Sequence, residues 1–221
     1  MCMFSCTKSR NSIVKEEFYN YVNQSFDNPK DLSEIVSVEP IDTISYEALK
    51  SEVELLYGIA EQTDSLVEME RSQFQSITSR LRGNKPITGN NNRNILGEWL
   101  ARQSELSNDM MEWVKLCFDE TRYLKIEIDS LLESNKNLLL YEYEIKTRIK
   151  KGTDLKLKSY YALEDSVKIR FFDKKPTFDD YSKSTAQFYE AANKYEELYN
   201  IRYNIVLEKL KLNETIEHII E

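Results

Sequence analysis

Histidine is nearly missing from this chain, and glycine, proline and cysteine are scarce: one His, five Gly, four Pro and three Cys among 221 residues. Each scarcity removes a class of answers. The one imidazole, His218 in Glu217-His-Ile-Ile-Glu221, stands near the C-terminus without a partner to fix it; histidine-driven catalysis is excluded and the residue reads as a cation at a helix end. Cys2, Cys6 and Cys117 form no CxxC pair and have no His nearby, which removes a structural zinc site. Cys117, within Trp113-Val-Lys-Leu-Cys-Phe118, reads as a small hydrophobe packed on a helix. Gly and Pro are sparse for a fold of many short strands and tight turns, and long helices are the natural expectation. No run approaches the roughly 18 apolar residues that cross a bilayer, so membrane attachment would have to be covalent or through a partner. GxSxG, GxxxxGK[ST], HExxH and EF-hand spacings are all missing, which leaves nucleophile, phosphate-cradle, zinc and calcium chemistry without a basis.

What is present points to a folded chain. Hydrophobic residues make up 41% and aromatics 11%, enough for a core despite 31% charged residues. The formal charge of -8 argues against a general phosphate-backbone binder, so no nucleic-acid partner is expected, and no cofactor either.

Periodicity organises the chain. Val14, Phe18, Tyr21, Val22 and Phe26 predict a short amphipathic helix over 13–26 with Ser12 as N-cap, and Asp27-Asn-Pro29 a turn. Ile35 to Ile44, β-branched but interrupted by Pro40, predicts an extended edge segment. From Tyr46 to Arg82 the positions Leu49, Val53, Leu56, Ala60, Thr63, Val67, Glu70, Phe74, Ile77 and Leu81 step by fours and threes, the seam of a coiled coil, with Ser45 as N-cap and Gly83 suited to the left-handed C-terminal position. Asn84 to Asn94, with Pro86, Gly89 and three consecutive Asn, predicts a loop. A second seam follows at Leu96, Trp99, Leu106, Met110, Trp113, Cys117, Leu124, Ile128, Leu131 and Leu138, interrupted at Gln103 and Glu120-Thr121, and can pack antiparallel on the first.

Beyond Leu138 the period changes to two. Tyr141, Tyr143, Ile145, Thr147 and Ile149 alternate with Glu142, Glu144, Lys146 and Arg148; Lys150 to Thr153 is a turn, and Leu155–Leu163 and Val167–Phe171 complete a three-stranded antiparallel meander. Its competitor is a helix continuing through Leu138 to Arg148. Thr177 would cap a third long helix carrying Phe178, Tyr181, Thr185, Phe188, Ala192, Tyr195, Tyr199, Val206 and Leu210 toward Ile220. The fold class is therefore mainly α (α+β): a long antiparallel helical hairpin, a small inserted β-meander and a third long helix. Its segments are a tether over 1–12, the short helix and edge segment over 13–45, the hairpin over 46–137, the meander over 138–175 and the last helix over 176–221.

Chemistry is thin. Glu142 and Glu144 share their face with Lys146 and Arg148, which reads as a solvated, charge-paired surface, not an acid/base pair. Fourteen tyrosines are the unusual feature. Tyr141, Tyr143, Tyr160 and Tyr161 are the candidate patch for a sugar or protein partner, against the plainer use of tyrosine at core boundaries.

At the start, Met1-Cys-Met-Phe-Ser5 is apolar, Cys6 follows a small residue, and Thr7-Lys-Ser-Arg10 turns polar. This step resembles the end of a bacterial lipoprotein signal peptide, with Cys6 in the lipidated position. Phe18 to Ser45, about an eighth of the chain, is similar to the stretch after the lipidated cysteine in small uncharacterised lipoproteins of Bacteroidetes-type bacteria. The resemblance implies that Met1 lies inside a longer signal peptide and that the chain is anchored in the envelope, on the outer membrane and facing the periplasm; it implies no activity. The expected function is a non-catalytic binding or spacer module acting through its helices on a protein or glycan partner, with a homodimer through the seams as one arrangement. The alternatives are a cytoplasmic coiled-coil assembly protein and an enzyme with an unrecognised carboxylate site.

Overall fold

The computed structural model describes residues 9–83 and 90–220. It is mainly helical with one small antiparallel sheet. The elements are α1 (Arg10–Ser25), β1 (Leu32–Ser45), α2 (Tyr46–Gly83), α3 (Asn90–Ser134), β2 (Leu139–Lys151), β3 (Asp154–Glu164), β4 (Ile169–Phe172) and α4 (Lys183–Ile220), with single 3₁₀ turns at Pro29–Asp31 and Phe178–Asp180. The chain divides into two compact units, 1–50 with 132–186 and 51–131 with 187–221.

In the first unit α1 packs on the sheet. Val14, Phe18 and Val22 lie one helical turn apart and are buried against Ile35 of β1, Tyr143 and Ile145 of β2, and Tyr160 and Ala162 of β3. The helix begins one turn earlier than the sequence predicts: Ser9, not Ser12, is the N-cap, its Oγ accepting from the Ser12 backbone N–H. The added turn lets the Arg10 guanidinium stack 3.8 Å from the Tyr141 ring centroid and the Asn11 amide donate to the Val38 carbonyl.

The sheet has the order β1-β2-β3-β4, every pair antiparallel. The alternation from Tyr141 to Ile149 is indeed a strand and not a continued helix, but the sheet has four strands where three were expected, because Leu32–Ser45 pairs along β2. As an edge strand β1 tolerates Pro40, which has no N–H to give, and carries register shifts on either side. Gly152 closes the β2–β3 hairpin at φ +69°, where a side chain would be strained. The last strand is shorter than predicted. The Asp165 carboxylate accepts from the backbone N–H of Val167 and Lys168, so Val167 is held in the turn, 87% exposed, and pairing begins at Ile169.

Three helix ends also differ. The Asn-rich stretch expected to be loop enters α3 at Asn90; Pro86 and Gly89 lie outside the described residues. Leu138 is not part of α3, which stops at Ser134: the Leu138 N–H donates to the Asn135 carbonyl, and the Leu138 carbonyl accepts from Tyr46 N–H. Thr177 caps only a 3₁₀ turn, through Asp180. Helix α4 opens five residues later on Ser182, whose Oγ accepts from Thr185 N–H.

In the second unit three helices bury one another's stripes. All ten α2 positions from Leu49 to Leu81 are buried or half-buried. Helix α3 runs opposite to α2, as the Tyr57–Asp129 and Phe74–Trp99 contacts show. It also runs opposite to α4, through Arg102–Glu208, Trp113–Leu198 and Glu120–Lys194. The seam's polar interruptions are matched in space: Gln103 Nε2 donates to Asn213 Oδ1 at 2.7 Å, Thr63 Oγ1 donates to the Ile59 carbonyl, and Lys209 Nζ stands 3.2 Å from Glu70 Oε1 as an ion pair without hydrogen-bond alignment. Cys117 is half-buried and free rather than fully packed, and its thiol is pushed up by burial and by Glu120.

Candidate functional site

The four tyrosines of the expected patch do not share a surface. Tyr143 and Tyr160 are 2% and 4% exposed, part of the core under α1, and Tyr143 donates its hydroxyl to Glu164 Oε2 at 2.7 Å. Burial and the Glu164 carboxylate push the Tyr143 phenol up. Tyr141 packs against the same core under Arg10, while Tyr161, opposite Glu144 in register, lies on the other face of the sheet. The pleat separates neighbours in sequence, so a run of tyrosines in two strands cannot be one platform. Cys6 lies outside the described residues.

The polar face of β2 is also divided. Lys146 pairs with Glu39 and Glu144, Arg148 pairs with Glu34, and Ser159 Oγ donates to Glu144, all partly exposed as expected of a solvated face. Glu142 departs from that expectation: it is 2% exposed and its Oε1 has no hydrogen-bond partner. Asp42 is its cross-strand neighbour in β1, and Leu163 its neighbour in β3. Burial raises the Glu142 carboxyl above its ordinary value of 4.5, Lys175 works against it and Asp42 adds to the rise; burial and the same two acids raise the Tyr181 phenol. Among the described residues no group of three His, Cys, Asp or Glu is arranged to hold a metal ion.

A stability test follows from the direction of that shift. Between pH 4.5 and the higher folded-state value, the folded protein holds a proton on Glu142 that the unfolded chain has already lost, so this residue makes stability fall as pH rises through the window. Glu142→Gln should remove that decline and raise stability at pH 8 by about 1–3 kcal/mol, the range for relieving a buried, poorly satisfied polar group. Thermal melts of both proteins from pH 4.5 to 8 check it. Parallel curves would mean that Lys175 already compensates the charge.

The surface feature with the clearest binding character is on α3. Its inward stripe is taken up by α2 and α4, yet Leu100, Met111, Val114 and Phe118 are about half exposed, and at 3.6 residues per turn they fall within a sector of about 60° that flanks the buried stripe. Sequence periodicity did not single them out, because the stronger seam at Trp99, Leu106 and Trp113 on the same helix absorbs the pattern. Lys115 and Arg122 continue the sector with positive charge. A helix with one apolar stripe buried and a second one half exposed beside it can receive another apolar surface without disturbing its own packing. No family model matches this chain, and neither does any curated protein or solved structure.

Proposed function

We propose that the protein is a non-catalytic binding module whose helical bundle receives a protein partner on the half-exposed apolar sector of α3, and that a lipid on Cys6 holds it at the bacterial cell envelope. The observation that carries the binding reading is the placement of Met111, Val114 and Phe118, about half exposed, on a helix whose neighbouring stripe is already buried. The four-three stepping of the buried positions supports treating α2 and α3 as a coiled-coil hairpin closed within one chain, which leaves the flanking sector, not the seam, for a partner. The anchor rests on the Ser5-Cys6 step and the polar residues behind it.

A photo-cross-linking phenylalanine analogue at position 118, in protein made from its natural locus, should give one adduct of defined mass. Introducing Met111→Glu and Val114→Glu should abolish the adduct without lowering the melting temperature, since both side chains are exposed. No adduct at 118, or one indifferent to these charges, overturns the binding reading. Intact mass of the same preparation tests the anchor. A species starting at Cys6 with acyl mass is expected, and an unmodified chain retaining Met1 overturns the anchor and moves the binding face to a cytoplasmic assembly protein.

A further inference from the structure

The first unit contains a groove of about 410 Å³ whose walls come from the start of β2, the β3–β4 turn, β4 and the residues that open α4. Lys168 and Arg170 both line it. They are two apart on an extended segment, so they share one side of the sheet, opposite to Ile169 and Phe171, which pack toward α1. Arg170 is half-buried and keeps its Nε out of solvent with no acceptor. The carboxylate in the groove, Asp165, is already occupied by the N–H groups of Val167 and Lys168, which against the effect of burial lower it from its ordinary value together with the charges of Arg170 and Lys168. The far wall adds Tyr181 and Ser182, and Ser182 is the N-cap of a 38-residue helix whose positive end therefore faces the same space.

We propose that this groove is a binding site for a small organic ligand bearing an oxyanion, a phosphate or a carboxylate, held by Arg170 with Lys168 as the second cation. Three observations converge on it independently of the α3 surface. There is a cavity within the size range of small-molecule sites, an arginine partly withdrawn from water whose Nε has no acceptor, and a long helix pointing its positive end at the same volume. A planar guanidinium recognises two oxygens of one oxyanion, so it supplies geometry as well as charge. The apolar contribution of Leu138 and Leu140 to the other wall suits a ligand with a short organic body more than a bare ion.

Calorimetric titration of the full chain with phenyl phosphate and with phenylacetate, against sodium chloride at matched ionic strength, tests the proposal and tells the two oxyanions apart. Inorganic phosphate measures the contribution of the organic body. Saturable binding of one of the two organic probes is expected, weakened about tenfold or more by Arg170→Met and by a smaller factor by Lys168→Met, with Lys156→Met, an exposed site outside the groove, unchanged. Lys168 is exposed, so its variant keeps the test open if Arg170→Met fails to fold. Heat that matches the chloride control for both probes, or binding that Lys156→Met weakens as much as Lys168→Met, overturns the site.

Discussion

Phe18→Ala should cost the first unit about 3–5 kcal/mol, the range for emptying a buried aromatic position. Phe18 is fully buried and stands at the middle of an aromatic group, with ring centroids 5.2 Å from Tyr160, 5.4 Å from Phe171 and 5.9 Å from Tyr21. Those rings belong to α1, β3 and β4, so the cavity would sit where helix and sheet meet and neither side can collapse into it alone. Native-state amide exchange is the suitable measurement, because β2 lies at the centre of this unit and its hydrogen bonds report the unit's opening. Protection in β2 should fall by the full amount. If protection in α3 between Arg102 and Arg122 falls equally, the two compact units unfold as one. If it does not, they are separate cooperative blocks. A loss under 1 kcal/mol in β2 would show that α1 contributes little to holding the sheet.

Trp113→Ala should have a comparable effect on the second unit, again about 3–5 kcal/mol. The indole is 4% exposed and ties three helices together. Its Nε1–H donates to the Leu198 carbonyl at 2.7 Å, its ring meets Tyr199 at 5.8 Å, and the Arg202 guanidinium lies 4.9 Å over it while bonding Asp64 of α2. Removing the ring takes away the surface on which that arginine rests, so the Arg202–Asp64 pair should loosen as well. Urea unfolding followed by the emission of Trp99, the one other tryptophan, would read this unit directly. Trp113→Phe should recover most of the loss, since it keeps an apolar ring and gives up only the hydrogen bond and part of the area. Equal losses for Ala and Phe would assign the effect to the indole N–H alone.

Where the sequence was legible, the reason was a strong local period. The α2 stripe from Leu49 to Leu81 was readable residue by residue, polar members included, because a long helix in water must bury one stripe and each position repeats the same evidence. The alternation from Tyr141 to Ile149 marked a strand for the same reason. Starts and stops were less legible. The caps read from sequence were Ser12 and Thr177, and the structure uses Ser9 and Ser182, the first of which lets Arg10 pack over Tyr141.

The sites were legible only in part. A period of two says which residues share a face, yet not which face is covered, so Tyr143 and Tyr160 looked as available as Tyr161 until α1 was seen over them. Glu142 sits on the charged side of β2 and reads as solvated. Its charged surroundings include Asp42, a hundred residues away, and the segment carrying Lys175 and Tyr181, and nothing local announces either. The groove with Lys168 and Arg170 needs four separate pieces of chain and has no signature in any of them.

By itself, then, the amino-acid order determined that this chain is mainly helical and which residues form its long buried stripes. Tertiary structure alone decided that Leu32–Ser45 becomes the fourth strand, that α4 closes the seam of α2 and α3 within one chain, and which charged and aromatic side chains meet water. The difference is one of range: secondary structure and amphipathicity are set by neighbours three or four residues apart, whereas pairing, burial of the polar face and the shape of a cavity are set by segments that meet only after the chain has folded.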